Sequence, residues 1–482
     1  MYPDKGSKNL FLLPVDTLCS HPPASCTLAT PIREVAGKMS ALQVSSLLVV
    51  DQDRPCGIVT LEDLCDLIAQ DAVSRLQTAK DIMSSVATVQ KSDYAFEALY
   101  RMTRYNTHRL AVIDESGSPF GILTDSDLLR LHSKTPLYIS SEIEAARSLE
   151  ELREINLRMP EAVDFAMRTG ADIRALTQLI SHLNDTFTRR VITLLEQEEN
   201  LTLPPGAACL ALGSEGRKEQ TLRTDQDSAI VFNDNLPASE LAQIARFSDR
   251  LVEALETIGV PRCPGDTMVS NPAWRKSLSA WKTEIEKWIS LPQPEHMVEF
   301  GMFQDFRTLH GDTSLEHSLR EHLHGCIKRY TLFLPYMARH IVGFKPPLRL
   351  FGRFRTERTG PHRGTINLKK AGIFAITEGV SLLALEAGLS GGSTWEKMGI
   401  LRDKCILTEA SHKTLQNSFS GLGQLRLQRQ LMDLADGKPT GNHVDPMLLS
   451  LQEQDRLREA LRGVNYLLRM IRDRYRLDLI SR

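Results

Sequence analysis

The chain reads as a multidomain protein of the α/β and α+β classes, and three observations lead there. A strand–turn–strand–helix pattern occurs twice within residues 16–135. A short apolar strand runs into Gly213-Ser214, and a second strand opens on Asp225-Gln-Asp227. Apolar residues recur at three and four from Ser141 to Asn200 and again from Leu457 to Ile471, which is the helical period. The length of 482 residues suits about three domains. With 42% hydrophobic and 24% charged residues the composition is globular, which excludes a disordered or collagen-like chain.

Several function classes fall away on composition. No apolar run approaches the ~18 residues of a membrane helix. The segment Met1–Leu10 carries Asp4, Lys5 and Lys8 and does not read as a secretory signal. A net charge of −2 argues against a general nucleic-acid binder. The eight cysteines form no C-x-x-C pair, so they read as reduced thiols of a cytoplasmic protein rather than a zinc site or a disulfide framework. H-E-x-x-H and the phosphate-binding G-x-x-x-x-G-K-[ST] are both absent from the sequence.

The repeat comes first in the chain. Residues 45–66, SSLLVVDQDRPCGIVTLEDLCD, match residues 108–129, HRLAVIDESGSPFGILTDSDLL. Each unit runs strand, acidic turn, glycine, strand, threonine and aspartate, then helix. Upstream, Thr30 and Ser92 stand where helix caps are expected, with an acid in the first turn. The pattern resembles a tandem pair of CBS domains over residues 16–135, behind a tail of residues 1–15. That resemblance implies an adenosine nucleotide held between the repeats by Thr60, Asp63, Thr124 and Asp127, and a homodimer. A hydroxyl before a helix N-terminus suits phosphate, and a carboxylate one turn on can accept from ribose. Plain capping of the helix is the alternative.

Residues 136–200 follow as a helical connector of two or three helices, punctuated by Pro160 and Gly170 and read as a packing element.

The chemistry is concentrated in residues 201–340. Residues 207–213, AACLALG, read as a buried strand. Gly213 lets a phosphate approach the backbone, and Ser214 opens a short helix whose free N–H groups favour an anion. Asp225 and Asp227 alternate at the start of the second strand and so share a face. Two carboxylates aimed at one point repel unless a cation lies between them, and Mg²⁺ takes one or two carboxylates plus phosphate oxygens.

Gly-Ser, a spacer of about ten residues and Asp-x-Asp resemble the DNA polymerase β nucleotidyltransferase superfamily. The longer string Gly213-Ser-Glu-Gly-Arg217-Lys-Glu219-Gln followed by Thr224-Asp-Gln-Asp is closer to its PII uridylyltransferase branch. The domain order resembles the CBS-linked signal-transduction nucleotidyltransferases. This implies a polymerase-β-like domain with a mixed sheet, then a helical C-terminal domain over residues 341–482. It also implies Mg²⁺, an NTP donor, with UTP foremost, and an acceptor that is a regulatory protein or another hydroxyl compound. A third carboxylate is expected, and the alternation of residues 297–307 offers Asp305, with Arg307 on its face and Glu299 as the alternative. Arg217 and Glu219 are assigned to the nucleotide, Arg217 on phosphate and Glu219 orienting it.

Three further features stand out. In the loop of residues 261–275, Asn271, Trp274 and Arg275 contact base or acceptor, or else form a structural turn around a core tryptophan. Residues 340–370 hold eight Lys and Arg against the single acid Glu357, a local charge of +7 that suits a triphosphate or an acidic acceptor, or is a solvated face. Gly388-Leu-Ser390-Gly-Gly392 fits the hydrolase pattern G-x-S-x-G, but a helical stretch precedes it where a nucleophile elbow needs a strand. The reading is a regulated, Mg²⁺-dependent nucleotidyltransferase. A non-catalytic nucleotide sensor of the same build is the alternative.

Overall fold

The computed structural model describes residues 13–69, 78–128, 136–222, 225–349, 352–438 and 440–479. The chain divides into two compact units, Met1–Tyr138 with Arg168–Gly170, and Ile139–Met167 with Ala171–Arg482.

The first unit bears out the repeat in detail. β1 (Ser25–Thr27) lies parallel to β2 (Ser46–Asp51), which pairs antiparallel with β3 (Arg54–Thr60). β4 (Thr88–Gln90), β5 (Arg109–Ile113) and β6 (Pro119–Thr124) repeat that order. Even the register shift recurs, at Val49/Val50 and at Val112/Ile113. Helices Ile32–Leu42 and Ala95–Tyr105 each end in a left-handed residue, Gln43 and Asn106. Val15 is fully buried in the core of the second repeat. Leu48, Ala111 and Ile122 form a small core of their own, drawing on both repeats.

Two local expectations are corrected here. Pro31 and Tyr94, not Thr30 and Ser92, occupy the N-cap positions, and neither makes a side-chain cap. The Thr30 hydroxyl instead accepts from the Thr27 backbone N–H at 3.0 Å. Capping boxes appear instead after the hairpin of each repeat. The Thr60 N–H and hydroxyl donate to Asp63 Oδ2 at 2.7 and 2.8 Å, and the Asp63 N–H donates back at 3.2 Å. Thr124 and Asp127 repeat this at 2.9, 2.7 and 3.1 Å.

The expected connector forms three helices, Pro136–Ala145, Leu149–Arg168 and Ile173–Glu198, most of whose residues fall in the second unit. The helix Leu149–Arg168 runs through Pro160 rather than breaking there. Proline removes one N–H bond, which packing of the apolar face at Leu152, Ile155, Met159 and Val163 offsets. Gly170, with φ +98°, is the actual break. The helix Ile173–Glu198 is capped by Asp172, whose carboxylate accepts from the Ala175 N–H at 2.8 Å.

The sheet that positions the site has four strands in the order Arg307–Gly311, Ala207–Ala211, Ser228–Phe232, Arg275–Ser277. β7 (Ala207–Ala211) is buried throughout and pairs antiparallel with β8 (Ser228–Phe232) and β10 (Arg307–Gly311). β9 (Arg275–Ser277) lies parallel to β8. Residues 297–307, expected to be one strand, are mostly the helix Pro294–Phe303, and only Arg307 enters β10. Pro294 occupies the first turn, and Met297, Phe300 and Phe303 fall at helical spacing, each buried. The expected helical end is present as helices Phe333–Val342, Phe374–Glu386, Thr394–Asp403, Glu409–Ala435 and Leu451–Arg474. The core is continuous from the sheet into these helices.

Candidate active site

The end of β7 turns sharply. Gly213 adopts φ +51°, a conformation that favours glycine, and residues Gly213–Gly216 form one short helical turn. The Leu212 N–H donates to the Asp227 carbonyl at 3.0 Å, which draws the segment before β8 against this turn. Asp225 and Asp227 therefore precede β8 rather than lie within it. They still converge, because one carboxylate oxygen from each and the Cys263 sulfur all lie within 4.8 Å of one another. Asp227 Oδ1 is buried without a hydrogen-bond partner. Burial and the neighbouring Asp225 push the Asp227 carboxyl up to about 6, against the opposing interaction with the Cys263 thiol. An orphaned buried oxygen in a Cys/Asp/Asp donor set is what a divalent cation would satisfy, so these residues fit a metal.

Two cations from the helical end face this pair. Lys369 is held below the usual lysine range by burial and Arg426, against the opposing pull of Asp225 and Asp227. Burial lowers Arg426 to about 10, again against Asp225. Its Nε donates to Asn442 Oδ1 at 2.6 Å. On the other side, burial and the charges of Asp185, Asp227 and Asp225 push Glu215 up to about 8.

Arg217, Glu219 and Asp305 belong to a different constellation. All three are buried. Arg217 Nε donates to Glu219 Oε2 at 3.0 Å, and its Nη1 to Asp305 Oδ2 at 3.0 Å. The other Asp305 oxygen accepts from Lys397 Nζ, which also donates to Ser381 Oγ at 2.8 Å. Glu219 receives the Thr394 N–H and hydroxyl, the latter at 3.0 Å. This network fastens the turn after β7 to helices Phe374–Glu386 and Thr394–Asp403. Asp305, expected as the third metal carboxylate, is not brought to Asp225 and Asp227; both its oxygens are engaged by cations. Those two cations hold its carboxyl below the usual range despite burial. Arg307 lies on a separate pair, with Asp185 from the helix Ile173–Glu198. Glu299 accepts from Trp288 Nε1 at 2.8 Å.

Comparison with known proteins follows the same division. The model described as "Putative nucleotidyltransferase DUF294" matches residues 157–295. "Putative nucleotidyltransferase substrate binding domain" matches residues 331–475, and "CBS domain" matches residues 15–70 and 79–134. The chain is a CBS-linked member of the DUF294 family. An uncharacterized protein of Methanocaldococcus jannaschii is 31% identical over 110 residues, 23% of this chain and 34% of that protein. An uncharacterized protein of Methanopyrus kandleri is 32% identical over 113 residues, 23% of this chain and 58% of that protein. The chain thus spans about a third and somewhat over half of these curated relatives. Among solved structures, a CBS domain pair in complex with 5′-methylthioadenosine and S-adenosyl-L-methionine is 26% identical, covering 25% of this chain and 97% of that one, with a TM-score of 0.24. A CBS domain protein from Pyrobaculum aerophilum complexed with AMP is 26% identical, covering 25% and 99%, with a TM-score of 0.23.

Within the DUF294 segment, the structure brings together Gly213, Ser214, Asp225 and Asp227. Thr224 lies outside the described residues. The loop of residues 261–275 resolves into the structural alternative. Asn271 caps the turn Pro272–Trp274, Trp274 is buried beside Trp281 and Trp288, and Arg275 Nη1 donates to the Val269 carbonyl at 3.1 Å. Of the basic run, Lys369 alone faces the carboxylates. Lys345, Arg349, Arg353, Arg355, Arg358, Arg363 and Lys370 are exposed. Ser390 Oγ lies 2.9 Å from His324 Nε2, but its turn follows a helix, so no nucleophile elbow forms. Sequence reasoning missed Cys263, Glu215 and Arg426. Glu215 occupies the variable position of the Gly-Ser-x-Gly string, which carries no mark of its role. Cys263 and Arg426 carried no local signal, because only the fold brings them to the carboxylates.

Proposed function

We propose that this chain is a metal-dependent nucleotidyltransferase that moves a nucleoside monophosphate from an NTP to an acceptor hydroxyl and releases pyrophosphate. The observation that carries the reading is the Asp225/Asp227 pair, with its orphaned Asp227 oxygen, set between a glycine turn and two inward-facing cations. Asp225 and Asp227 would hold Mg²⁺, which would supply charge neutralisation for the phosphates and the attacking oxygen. Gly213 and Ser214 present backbone N–H groups and an unobstructed approach to the phosphates. Lys369 and Arg426 take the negative charge that develops on the departing pyrophosphate. Arg217, Glu219 and Asp305 act one step back, by holding the glycine turn in register with the helical domain. By the family resemblance UTP is the leading donor and a regulatory protein the leading acceptor.

The CBS pair is the regulatory element of this reading. An adenosine nucleotide engages Thr60, Asp63, Thr124 and Asp127, whose hydroxyls and carboxylates stand at helix N-termini. Saturating ATP, ADP or AMP is then expected to shift turnover or NTP affinity, and no shift with any of the three would remove the regulatory part.

The test of the activity is pyrophosphate release and label transfer from each of the four α-labelled NTPs with Mg²⁺ in host-cell extract. Wild type is compared with the double variant Asp225→Ala/Asp227→Ala. Label on one macromolecule or metabolite, lost in the variant, names donor and acceptor. Equal signals from both proteins while NTP still binds would favour the non-catalytic sensor.

A further inference from the structure

We propose that Cys263 is the third protein ligand of the cation site, so that the site takes borderline transition-metal ions such as Co²⁺ and Zn²⁺ through a Cys/Asp/Asp set as well as Mg²⁺ through the carboxylates. The inference rests on the metal site proposed above and concerns what completes it.

Geometry comes first. The Cys263 sulfur and one oxygen each of Asp225 and Asp227 lie within 4.8 Å of one another. Around a tetrahedral cation with metal–oxygen bonds of about 2.0 Å and a metal–sulfur bond of about 2.3 Å, ligand atoms stand about 3.5 Å apart. The donors need to close by about an ångström, which rotation of three short side chains provides.

The position of Cys263 is also built rather than incidental. Its loop is fastened to the residues on either side of Asp227. The Gln226 N–H donates to the Pro261 carbonyl at 3.1 Å, and the Ser228 N–H to the Thr267 carbonyl at 3.1 Å. Gln226 Nε2 adds a bond to the Val260 carbonyl at 3.0 Å, and the Val269 N–H donates to Ser228 Oγ at 3.3 Å. Inside the loop the Asp266 N–H donates to the Cys263 carbonyl at 3.0 Å, and Asp266 takes φ +54° to close the turn. The bonds to Gln226 and Ser228 hold the Cys263 loop against the residues that flank Asp227, whose Oδ1 is buried without a conventional hydrogen-bond partner. Cys263 is free of any disulfide and only 8% exposed.

Two other carboxylates are engaged elsewhere. Asp305 is engaged by Arg217 and Lys397. Asp266, the acid nearest in sequence, accepts from Asn271 Nδ2 at 3.0 Å. A thiolate is a soft donor that Mg²⁺ does not use, whereas Co²⁺ and Zn²⁺ do. The same three residues therefore offer hard ions two oxygens and softer ions two oxygens and a sulfur.

The experiment is a Co²⁺ titration of the full chain, read by the near-ultraviolet thiolate-to-cobalt charge-transfer band, with Zn²⁺ competition for affinity. Wild type is expected to develop the band. Cys263→Ser is expected to lose it and to bind Zn²⁺ about tenfold or more weakly, the scale on which even outer partners of a metal are felt. Mg²⁺ should still raise the melting temperature of that variant. Cys263→Asp should lose the band and strengthen Mg²⁺ binding. Co²⁺ binding that needs Asp225 and Asp227 but gives no band, or a band unchanged in Cys263→Ser, would overturn the thiol ligand and leave the carboxylate site standing. Co²⁺ binding unchanged in Asp225→Asn/Asp227→Asn would overturn the metal site itself, and the inference with it.

Discussion

Replacing Asp227 by Asn should make the metal-free protein more stable while abolishing its metal response. Burial and Asp225 raise the Asp227 carboxyl from the usual 3.8 to about 6. The native state thus holds this proton more tightly than the unfolded chain does. Between pH 4 and 6 the unfolded chain ionises first, so stability falls as pH rises, and above pH 6 the full penalty is present. Two pKa units correspond to about 3 kcal/mol, and partial exposure of the pair reduces this to about 1–3 kcal/mol. Asn keeps the shape and the unpartnered oxygen but removes the charge. In EDTA at pH 7.5, Asp227→Asn should melt about 2–6 °C above wild type, given a few degrees per kcal/mol for a unit of this size. At pH 4.5 the gap should narrow to about 1 kcal/mol or less, because the folded wild type is then protonated while its unfolded chain is still largely ionised, and it should close below about pH 3.8. Saturating Mg²⁺ should reverse the order, since at a hundred times its Kd a bound ion stabilises wild type by about 2.7 kcal/mol and has little hold on the variant. Scanning calorimetry at two pH values, with and without Mg²⁺, reads all of this. A variant that melts at or below wild type in EDTA at pH 7.5, with no dependence of the gap on pH, would refute the electrostatic account of the pair.

Asp305→Asn should act in the opposite direction, because it leaves Arg217 and Lys397 buried without their counter-charge. A loss of about 3–5 kcal/mol in denaturant unfolding is expected, and the double variant Asp305→Asn/Lys397→Met should lose less than the sum of its parts. Gly216→Ala should reach or exceed the usual overpacking loss of about 1–3 kcal/mol, because its Cβ would clash with the Asp305 carbonyl oxygen. Gly325→Ala, on the helix Thr313–Arg329 with nothing within 4 Å, should instead gain about 0.5–1 kcal/mol, and thermal melts distinguish the two. Thr60→Ala and Thr124→Ala should each lower stability by about 1 kcal/mol through the lost capping box and weaken AMP binding by calorimetry. Lost stability with unchanged AMP affinity would mean that the pair caps the helix and does not hold nucleotide.

The parts of this molecule that were legible in its sequence are those where a local rule and a repeat agree. The duplicated Gly–Thr–Asp strings predicted two hairpins feeding two helices, and the structure repeats them down to the shifted register at Val49/Val50 and Val112/Ile113. Gly213 and the Asp225/Asp227 spacing were legible because a left-handed turn and a two-residue alternation are properties of short segments. The helix over Pro294–Phe303 was misread because Glu299 and Asp305 looked like alternating strand residues. Aromatic side chains at Phe300 and Phe303 pack equally well in either element, and only their tertiary partners decide.

The same reasoning explains why Asp305 looked like a metal ligand. A carboxylate two residues before an arginine carries no mark of what will neutralise it. Lys397, which does so, is 92 residues further on, and Arg217 is 88 residues back. Cys263 was invisible for the converse reason. A lone thiol in a Pro/Gly loop has no spacing to read, and it becomes a ligand candidate only because Gln226 and Ser228 fasten that loop on both sides of Asp227. The site thus divides by the range of its determinants. The phosphate turn and the paired carboxylates are encoded within fifteen consecutive residues, Gly213 to Asp227. What tunes them, the thiol, the two facing cations and the buried clamp, arrives from segments that meet only in the fold. Substitutions in the second group should therefore change metal preference, affinity or stability, while those in the first should remove the chemistry outright.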